Sequence, residues 1–237
     1  MSVEASFTKE NLNNYLRELG KEFRKLNGTK THAEIVLIGG AAVLANYGFR
    51  EMTNDIDAII IATSVMKEAI NNVRDRMGLP NDWLNIDFKR TKLFSEKLLE
   101  VSKYYKTYSN ILTIRTISAE YLIAMKLMSG REYKNDLSDI AGILLEHRRS
   151  GTAISRASIE AALNKLYDGG NDVPENAKRF LDDIFIDDDY EKIYREIREG
   201  EKEAEDILLD FDKNYPGELK GDNINTIIEQ ARQKIKT

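Results

Sequence analysis

The chain has 237 residues, 42% of them hydrophobic, and carries 35 Lys and Arg against 40 Asp and Glu for a net charge of −5. That is enough length and apolar content to bury a core, as one domain or as a domain with an appendage. Zero cysteines exclude disulfides, thiolate zinc sites and cysteine nucleophiles, and with only His32 and His147 a multi-histidine metal centre or a Ser-His triad is disfavoured.

Any metal is therefore expected on oxygen ligands, which favours magnesium or manganese. No run of eighteen apolar residues occurs, and the N-terminus lacks a basic-then-apolar order, so the expectation is a cytoplasmic protein without a membrane span. The charge is uneven: residues 151–237 hold 13 Lys and Arg against 21 Asp and Glu, whereas residues 1–150 hold 22 against 19. Such an acidic tail argues against broad nucleic-acid coating, which needs a surface able to release counterions from phosphates. The charge shift puts the expected boundary near Ser150-Gly151, between a domain over 1–150 and a helical region over 151–237 that can pack with it as one unit.

In chain order, Leu12, Tyr15, Leu16, Leu19, Phe23 and Leu26 recur at helical spacing and predict an amphipathic helix over 8–26 with Thr8 as its N-cap. Glu34 to Ile38 predicts a strand that stops at Gly39-Gly40, and Ala41 to Tyr47 predicts a small-residue helix ended by Gly48. Asp55 to Ala62 reads as the second strand. Val65, Ala69, Ile70, Val73 and Met77 then form the stripe of a helix that begins at Ser64 and closes at Gly78 and Pro80. Between 81 and 109, NDWLN reads as a turn with a buried Trp83 and Lys92 to Ser102 as a short helix. Ile111 to Ile117 predicts a last strand, and from Ser118 the pattern is helical. It includes a long Glu/Lys-rich helix over 189–212 interrupted by Gly200, a turn at Tyr215-Pro216-Gly217 and a short helix over 223–236. Strand, helix, strand, helix implies an α/β or α+β sheet.

The stretch from Gly39-Gly40 to Asp55-Ile56-Asp57 carries the most chemistry. Amides at the open end of a helix hold phosphates, and two carboxylates two apart on a strand project from one face, where they can share a divalent metal. Taken alone, the glycines are explained as well by a tight strand-to-helix turn. The aspartates could be a loop end and the solvent face of a strand, but Ile59 and Ile61 continue that face and are apolar. Charge confined to the start of a buried face points to a mouth that holds cations. Lys126 breaks the apolar run Leu122 to Met128 and alone reads as a lysine that snorkels to water, whereas opposite a metal site it reads as a triphosphate ligand. Arg131 and Lys134 read as surface or as further phosphate contacts, and Asp136 and Asp139 suit the positive end of the next helix.

Gly39-Gly40, Arg50, Thr53 and Asp55-Ile56-Asp57 resemble the signature of the nucleotidyltransferase superfamily, particularly the branch that contains AbiE-type toxins of bacterial toxin–antitoxin and phage-defence systems. Residues 121–140, YLIAMKLMSGREYKNDLSDI, resemble that branch's second motif, a lysine in an apolar helix followed by a basic residue and Asp-x-x-Asp. The tail has no motif-level match. The resemblance implies a small mixed β-sheet flanked by helices, with a helical C-terminal part. It implies Mg2+ or Mn2+ on Asp55 and Asp57, an NTP triphosphate cradled by the Gly39 and Gly40 amides, and Arg50, Thr53 and Lys126 positioning or neutralising it. Asp136, more than Asp139, would support Lys126. Transfer of a nucleoside monophosphate to a tRNA end or a protein side chain follows from the same resemblance, as do a toxin role and an antitoxin partner.

Many superfamily members complete the metal cage with a third carboxylate on a later strand, yet Ile111 to Ile117 contains none and shows Thr113 and Arg115 instead. Asp87 is the nearest acidic substitute by sequence, and Asp136 is the other. The departure leaves a second reading, a protein with this scaffold that binds nucleotide or a partner without turnover, using the acidic helices over 189–236 as an interaction surface. Tyr104, Tyr105 and Tyr108 read as a partly buried edge ahead of a base-stacking surface, Arg148-Arg149 as a solvated helix end and Asp187-Asp188-Asp189 as a helix N-terminus.

Overall fold

The computed structural model describes residues 6–29, 31–131, 134–168, 172–221 and 223–235. The chain divides into two compact units, Met1–Met125 with Ile154–Asn171, and Lys126–Ala153 with Asp172–Thr237. Both sheets belong to the first unit, and the elements of the second are helices. The fold is the expected mixed α/β arrangement with a helical C-terminal part.

In the first unit, β1 (Phe7–Thr8) leads into α1 (Lys9–Asn27). The Thr8 hydroxyl accepts from the Asn11 amide at 3.3 Å and Asn11 Oδ1 accepts from the Thr8 amide at 2.8 Å, so two donors at the helix start are satisfied reciprocally. Leu12, Leu16, Leu19 and Phe23 bury one face of α1, at the spacing the sequence predicts. The strands β2 (Ala33–Leu37), β4 (Ala58–Ile61), β5 (Ser102–Tyr108) and β6 (Leu112–Ile117) form one sheet in the order β4-β2-β6-β5. Here β2 runs antiparallel to β4 and parallel to β6, and β5 runs antiparallel to β6. The apolar run Ile35 to Leu37 is wholly buried, as suits an interior strand covered on both faces. Between β2 and β4 lie α2 (Gly39–Asn46) and β3 (Met52–Thr53), and β3 pairs with β1, placing Phe7 opposite Thr53.

The helix α3 (Val65–Met77) buries Met66, Ala69 and Val73 and packs on α1, where Asn72 and Arg76 hold the buried Glu22 at 3.1 and 3.0 Å. Those hydrogen bonds from Asn72 and Arg76 keep the Glu22 carboxyl below its usual range. Trp83 is buried, as the turn reading expects, and its indole N–H donates to the Ile70 carbonyl. The unit is completed by α6 (Arg156–Tyr167), whose Tyr167 hydroxyl donates to the Leu93 carbonyl at 2.9 Å.

Three expectations about elements are corrected. The second strand starts at Ala58 rather than Asp55, because Asp57 makes an isolated parallel bridge to Asn85 ahead of the ladder with β2, and Ile61 at the far end is 44% exposed. Lys92 to Ser102 forms no α-helix; it holds one short 3-10 turn, Glu96–Leu98, before β5 begins at Ser102. Only Leu98 and Val101 are buried there among its apolar residues, too little of a stripe to sustain a helix. The tyrosine-rich segment that follows pairs with β6 as an edge strand, where exposed Lys103 and Lys106 discourage further pairing. Tyr105 and Tyr108 both donate to Asn13 Oδ1, so Tyr104, 64% exposed, is the open ring of that cluster.

The helix α4 (Ala119–Ser129) begins in the first unit and ends in the second. The second unit contains α5 (Asp136–Arg149), α7 (Glu175–Asp187), α8 (Tyr190–Asn214) and α9 (Ile224–Ile235), with α8 packed on α5, α7 and α9. Asp189 caps α8 by accepting from the Lys192 amide at 3.1 Å. The third correction is that α8 runs unbroken through Gly200, whose carbonyl accepts from Arg232 of α9 at 3.0 Å. A glycine costs a helix interior about 1 kcal/mol, which the packing of this long helix offsets. Lys236, the expected last residue of the final helix, lies outside the described residues. Among the described residues, no helix is long and apolar enough to cross a membrane.

Candidate active site

The end of β2 and the segment before β4 are clipped together where the Ile38 amide donates to the Asp57 carbonyl at 3.0 Å. The chain then turns at Gly39, whose φ of +54° is a conformation that glycine adopts readily. No side chain caps α2, so the amides of its first turn lack intrahelical acceptors. Backbone conformation accounts for Gly39 and packing for Gly40. A Cβ at Gly40 would lie 2.6 Å from Thr53 Oγ1 and 2.9 Å from Arg50 Nη2, and one at Gly39 would lie 3.5 Å from Asp57 Oδ2. Glycine at 40 is what lets the uncapped helix start approach a guanidinium and a hydroxyl, and the turn at Gly39 sets it beside the Asp57 carboxylate.

Behind the glycines, Arg50 Nη2 donates to Thr53 Oγ1 at 3.4 Å and Thr53 Oγ1 donates to Asp55 Oδ1 at 3.3 Å. Arg50 Nε also donates to the Met52 carbonyl at 3.0 Å. Thr53 is 3% exposed and held by the β1 pairing, whereas Asp55 is exposed and Asp57 half-buried. The sequence reading missed Asn85. Its Nδ2 donates to Asp57 Oδ1 at 2.7 Å, its Oδ1 accepts from the Asp87 amide at 3.0 Å, and its backbone bonds Ile56 and Ala58 at 2.8 and 2.9 Å. Asn85 thereby holds the Asp57 side chain through one bond and the backbone of its two chain neighbours through two more. Asp87 itself is exposed at the start of the 3-10 turn Asp87–Arg90, paired with Arg90 at 3.3 Å, and touches the arrangement only through that backbone amide.

Among the described residues, no group of three or more His, Cys, Asp or Glu is placed to hold a metal ion. Asp55 and Asp57 are hard oxygen donors beside a phosphate-suited helix start. Magnesium commonly rests on one or two carboxylates, waters and substrate phosphates rather than on an all-protein cage, and this pair fits that mode.

The remaining candidates lie together within the second unit. Lys126, 7% exposed, does not snorkel to water: its Nζ lies 2.7 Å from Asp136 Oδ1 and 2.8 Å from Asp139 Oδ2. Arg131 Nε lies 3.0 Å from Asp136 Oδ2. Burial pushes the Asp136 carboxyl up, but the charges of Lys126 and Arg131 outweigh it and hold the group well below the usual range. Next to them, Glu201 of α8 accepts from the Ser138 amide at 3.2 Å in the first turn of α5, and its Oε2 lies 3.5 Å from Arg198. Burial, aided by the Asp139 charge, pushes Glu201 up to about 7 against the Ser138 hydrogen bonds and Arg198. Lys134 is exposed. Farther along, Arg148 pairs with Asp188 and stacks on Tyr190 at 3.8 Å, and Arg149 pairs with Glu191 at 2.7 Å, so both arginines are engaged within the unit.

No curated protein and no solved structure matches this chain. A family model described as a nucleotidyltransferase of unknown function (DUF6036) matches residues 14–161, a span that contains the glycine turn, Asp55, Asp57, Asn85 and the Lys126 cluster, and the chain therefore belongs to that nucleotidyltransferase family.

Proposed function

We propose that the protein is a metal-dependent enzyme that moves a nucleoside monophosphate from an NTP to a hydroxyl acceptor at the site between Gly39 and Asp57. The observation that carries this reading is the uncapped helix start at the glycine pair, where Gly40 is crowded by Thr53 and Arg50 and the positive-φ turn at Gly39 lies against Asp57. The amides of Gly39 and Gly40 receive phosphate oxygens, and the Arg50 guanidinium adds a charged donor. Thr53 joins Arg50 and Asp55 in one hydrogen-bonded chain, and Asn85 holds Asp57 in place. Magnesium or manganese on Asp55 and Asp57 supplies charge neutralisation and activation of the phosphate. In the transfer, the acceptor oxygen bonds to the α-phosphorus, the bond from that phosphorus to the bridging oxygen breaks, pyrophosphate leaves and the hydroxyl proton passes to solvent. Arg50 meets the charge that gathers on the departing group, where a positioned cation lowers the barrier.

The motif resemblance supports a finer form of the reading: the acceptor is a tRNA end or a protein hydroxyl, and the protein acts as a toxin countered by an antitoxin. Incubation with α-labelled NTP, magnesium and separate RNA and protein fractions tests both levels, since the labelled fraction identifies the acceptor class. Asp55→Asn/Asp57→Asn should abolish transfer, and transfer equal to wild type by that variant would show the site to be wrong.

A second reading, a nucleotide-binding module without turnover, is favoured by one observation: the side chain fixed against Asp57 is the amide of Asn85 rather than a third carboxylate. Calorimetric binding of NTPs with no pyrophosphate release across the acceptors tried would support it.

A further inference from the structure

The second unit carries a surface for which the nucleotide site has no use. Helices α8 and α9 meet through Ala204, Ile224 and Ile228, with Leu208 and Leu219 packed against them. That contact leaves other apolar side chains uncovered: Ile207, Phe211 and Ile227 are only half-buried and line a groove with a cavity volume of about 860 Å³. Space of that size over an apolar floor suits several large apolar side chains of an occupant.

One wall of the groove is acidic. Glu199, Glu203, Asp206 and Asp210 line it from α8 at spacings of four, three and four residues, which puts them in one stripe about 16 Å long over three helical turns. Lys202 is the one cation among the lining residues. Glu203 reaches Arg232 of α9 at 3.5 Å, and among the described residues no ion pair reaches Glu199, Asp206 or Asp210. This charge selects the occupant. Pairing of two copies across this face would set one acidic stripe against another, and phosphate-bearing nucleic acid or anionic lipid would be repelled. The complement is a helix with apolar residues along one face and Lys or Arg along the adjoining flank, laid into the groove over about three turns. We propose that the α8–α9 groove docks a basic amphipathic helix of a partner protein.

The test uses the full chain and a labelled amphipathic peptide of about sixteen residues with Leu at i, i+4, i+7 and i+11 and Lys along the adjoining flank, followed by fluorescence anisotropy. The lysine peptide should bind wild type, and its isomer with Glu for each Lys should not. Asp206→Lys/Asp210→Lys and, separately, Phe211→Ala should weaken binding by about tenfold or more. Glu205→Lys/Asp212→Lys changes net charge equally on α8 but outside the lining, and should leave affinity within about twofold. Circular dichroism checks helicity, and Asp206→Asn/Asp210→Asn carries the comparison if the lysine pair unfolds the helix. No binding of the lysine peptide to wild type, equal weakening by both charge reversals, or tight binding of the glutamate isomer would overturn the proposal.

Discussion

Glu201→Gln should stabilise the protein at pH 8 and do little at pH 4. Glu201 is buried at the start of α5, with one oxygen on the Ser138 amide and the other without a hydrogen-bond partner among the described residues. Its carboxyl rises from an ordinary 4.5 to about 7 in the folded chain. Below pH 4.5 both folded and unfolded forms hold the proton and the group is neutral in its effect. As pH climbs from 4.5 to 7, the unfolded chain releases a proton that the folded chain retains, so stability falls, and above 7 the full cost of about 3 kcal/mol is present. Glutamine keeps the oxygen that accepts from Ser138 and removes the charge. The Arg198 pair it gives up is half-exposed on the arginine side and contributes at most about 1 kcal/mol. The stabilisation by Glu201→Gln should therefore grow by about 2.5 kcal/mol between pH 5 and pH 8. Urea unfolding followed by far-ultraviolet circular dichroism reads it, since Trp83 lies in the other unit. An effect of equal size at both pH values would refute the assignment of a raised carboxyl to Glu201.

Two further variants separate folding from chemistry. Lys126→Met leaves Asp136 and Asp139 buried without the ammonium that binds both, and should cost about 3–5 kcal/mol in chemical denaturation. A loss of only a few tenths would mean that the cluster is not the structural unit its geometry suggests. Asn85→Ala removes the bond that fixes Asp57 and should cost about 10–100-fold in transfer rate or in the magnesium concentration needed for half-maximal transfer, with thermal stability changed little by comparison. Unchanged magnesium dependence and rate would remove Asn85 from the site.

Elements with a complete local signal were legible in the sequence. The first helix shows its cap at Thr8 and its stripe from Leu12 to Phe23 within a single stretch, and β2 shows an unbroken apolar run before a glycine turn. Arg50 and Thr53 were joined to the glycine turn and to Asp57 through the motif resemblance, whereas the turn itself was likewise readable from its own residues. Interactions between distant segments were not. Asn85 looks like any turn asparagine, and only the bridge that places it beside Asp57 gives it a role. The edge strand β5 gave no strand signal, and the helix expected over Lys92 to Ser102 touches it only at Ser102, because pairing with β6 rather than an internal period decides its conformation. Lys126 taken alone read as a solvent-seeking lysine, and only the resemblance implied its support by Asp136; the turn and the next helix bring both Asp136 and Asp139 to it. Gly200 read as a break because a helix propensity takes no account of the Arg232 bond to its carbonyl.

Gly39, Gly40, Arg50, Thr53, Asp55 and Asp57 of the proposed site lie close together in the chain, and Asn85 and the candidate Asp87 come from farther along it. Closing so short a loop costs little chain entropy, and contacts this local form early in folding. The order of assembly follows from that spacing. During synthesis the glycine turn, Arg50, Thr53 and both aspartates emerge close together, and Asn85, which bonds the Asp57 carboxylate, emerges later. The acidic helices come last, so the segment from Gly39 to Asp57 has left the ribosome before α8 and α9 emerge.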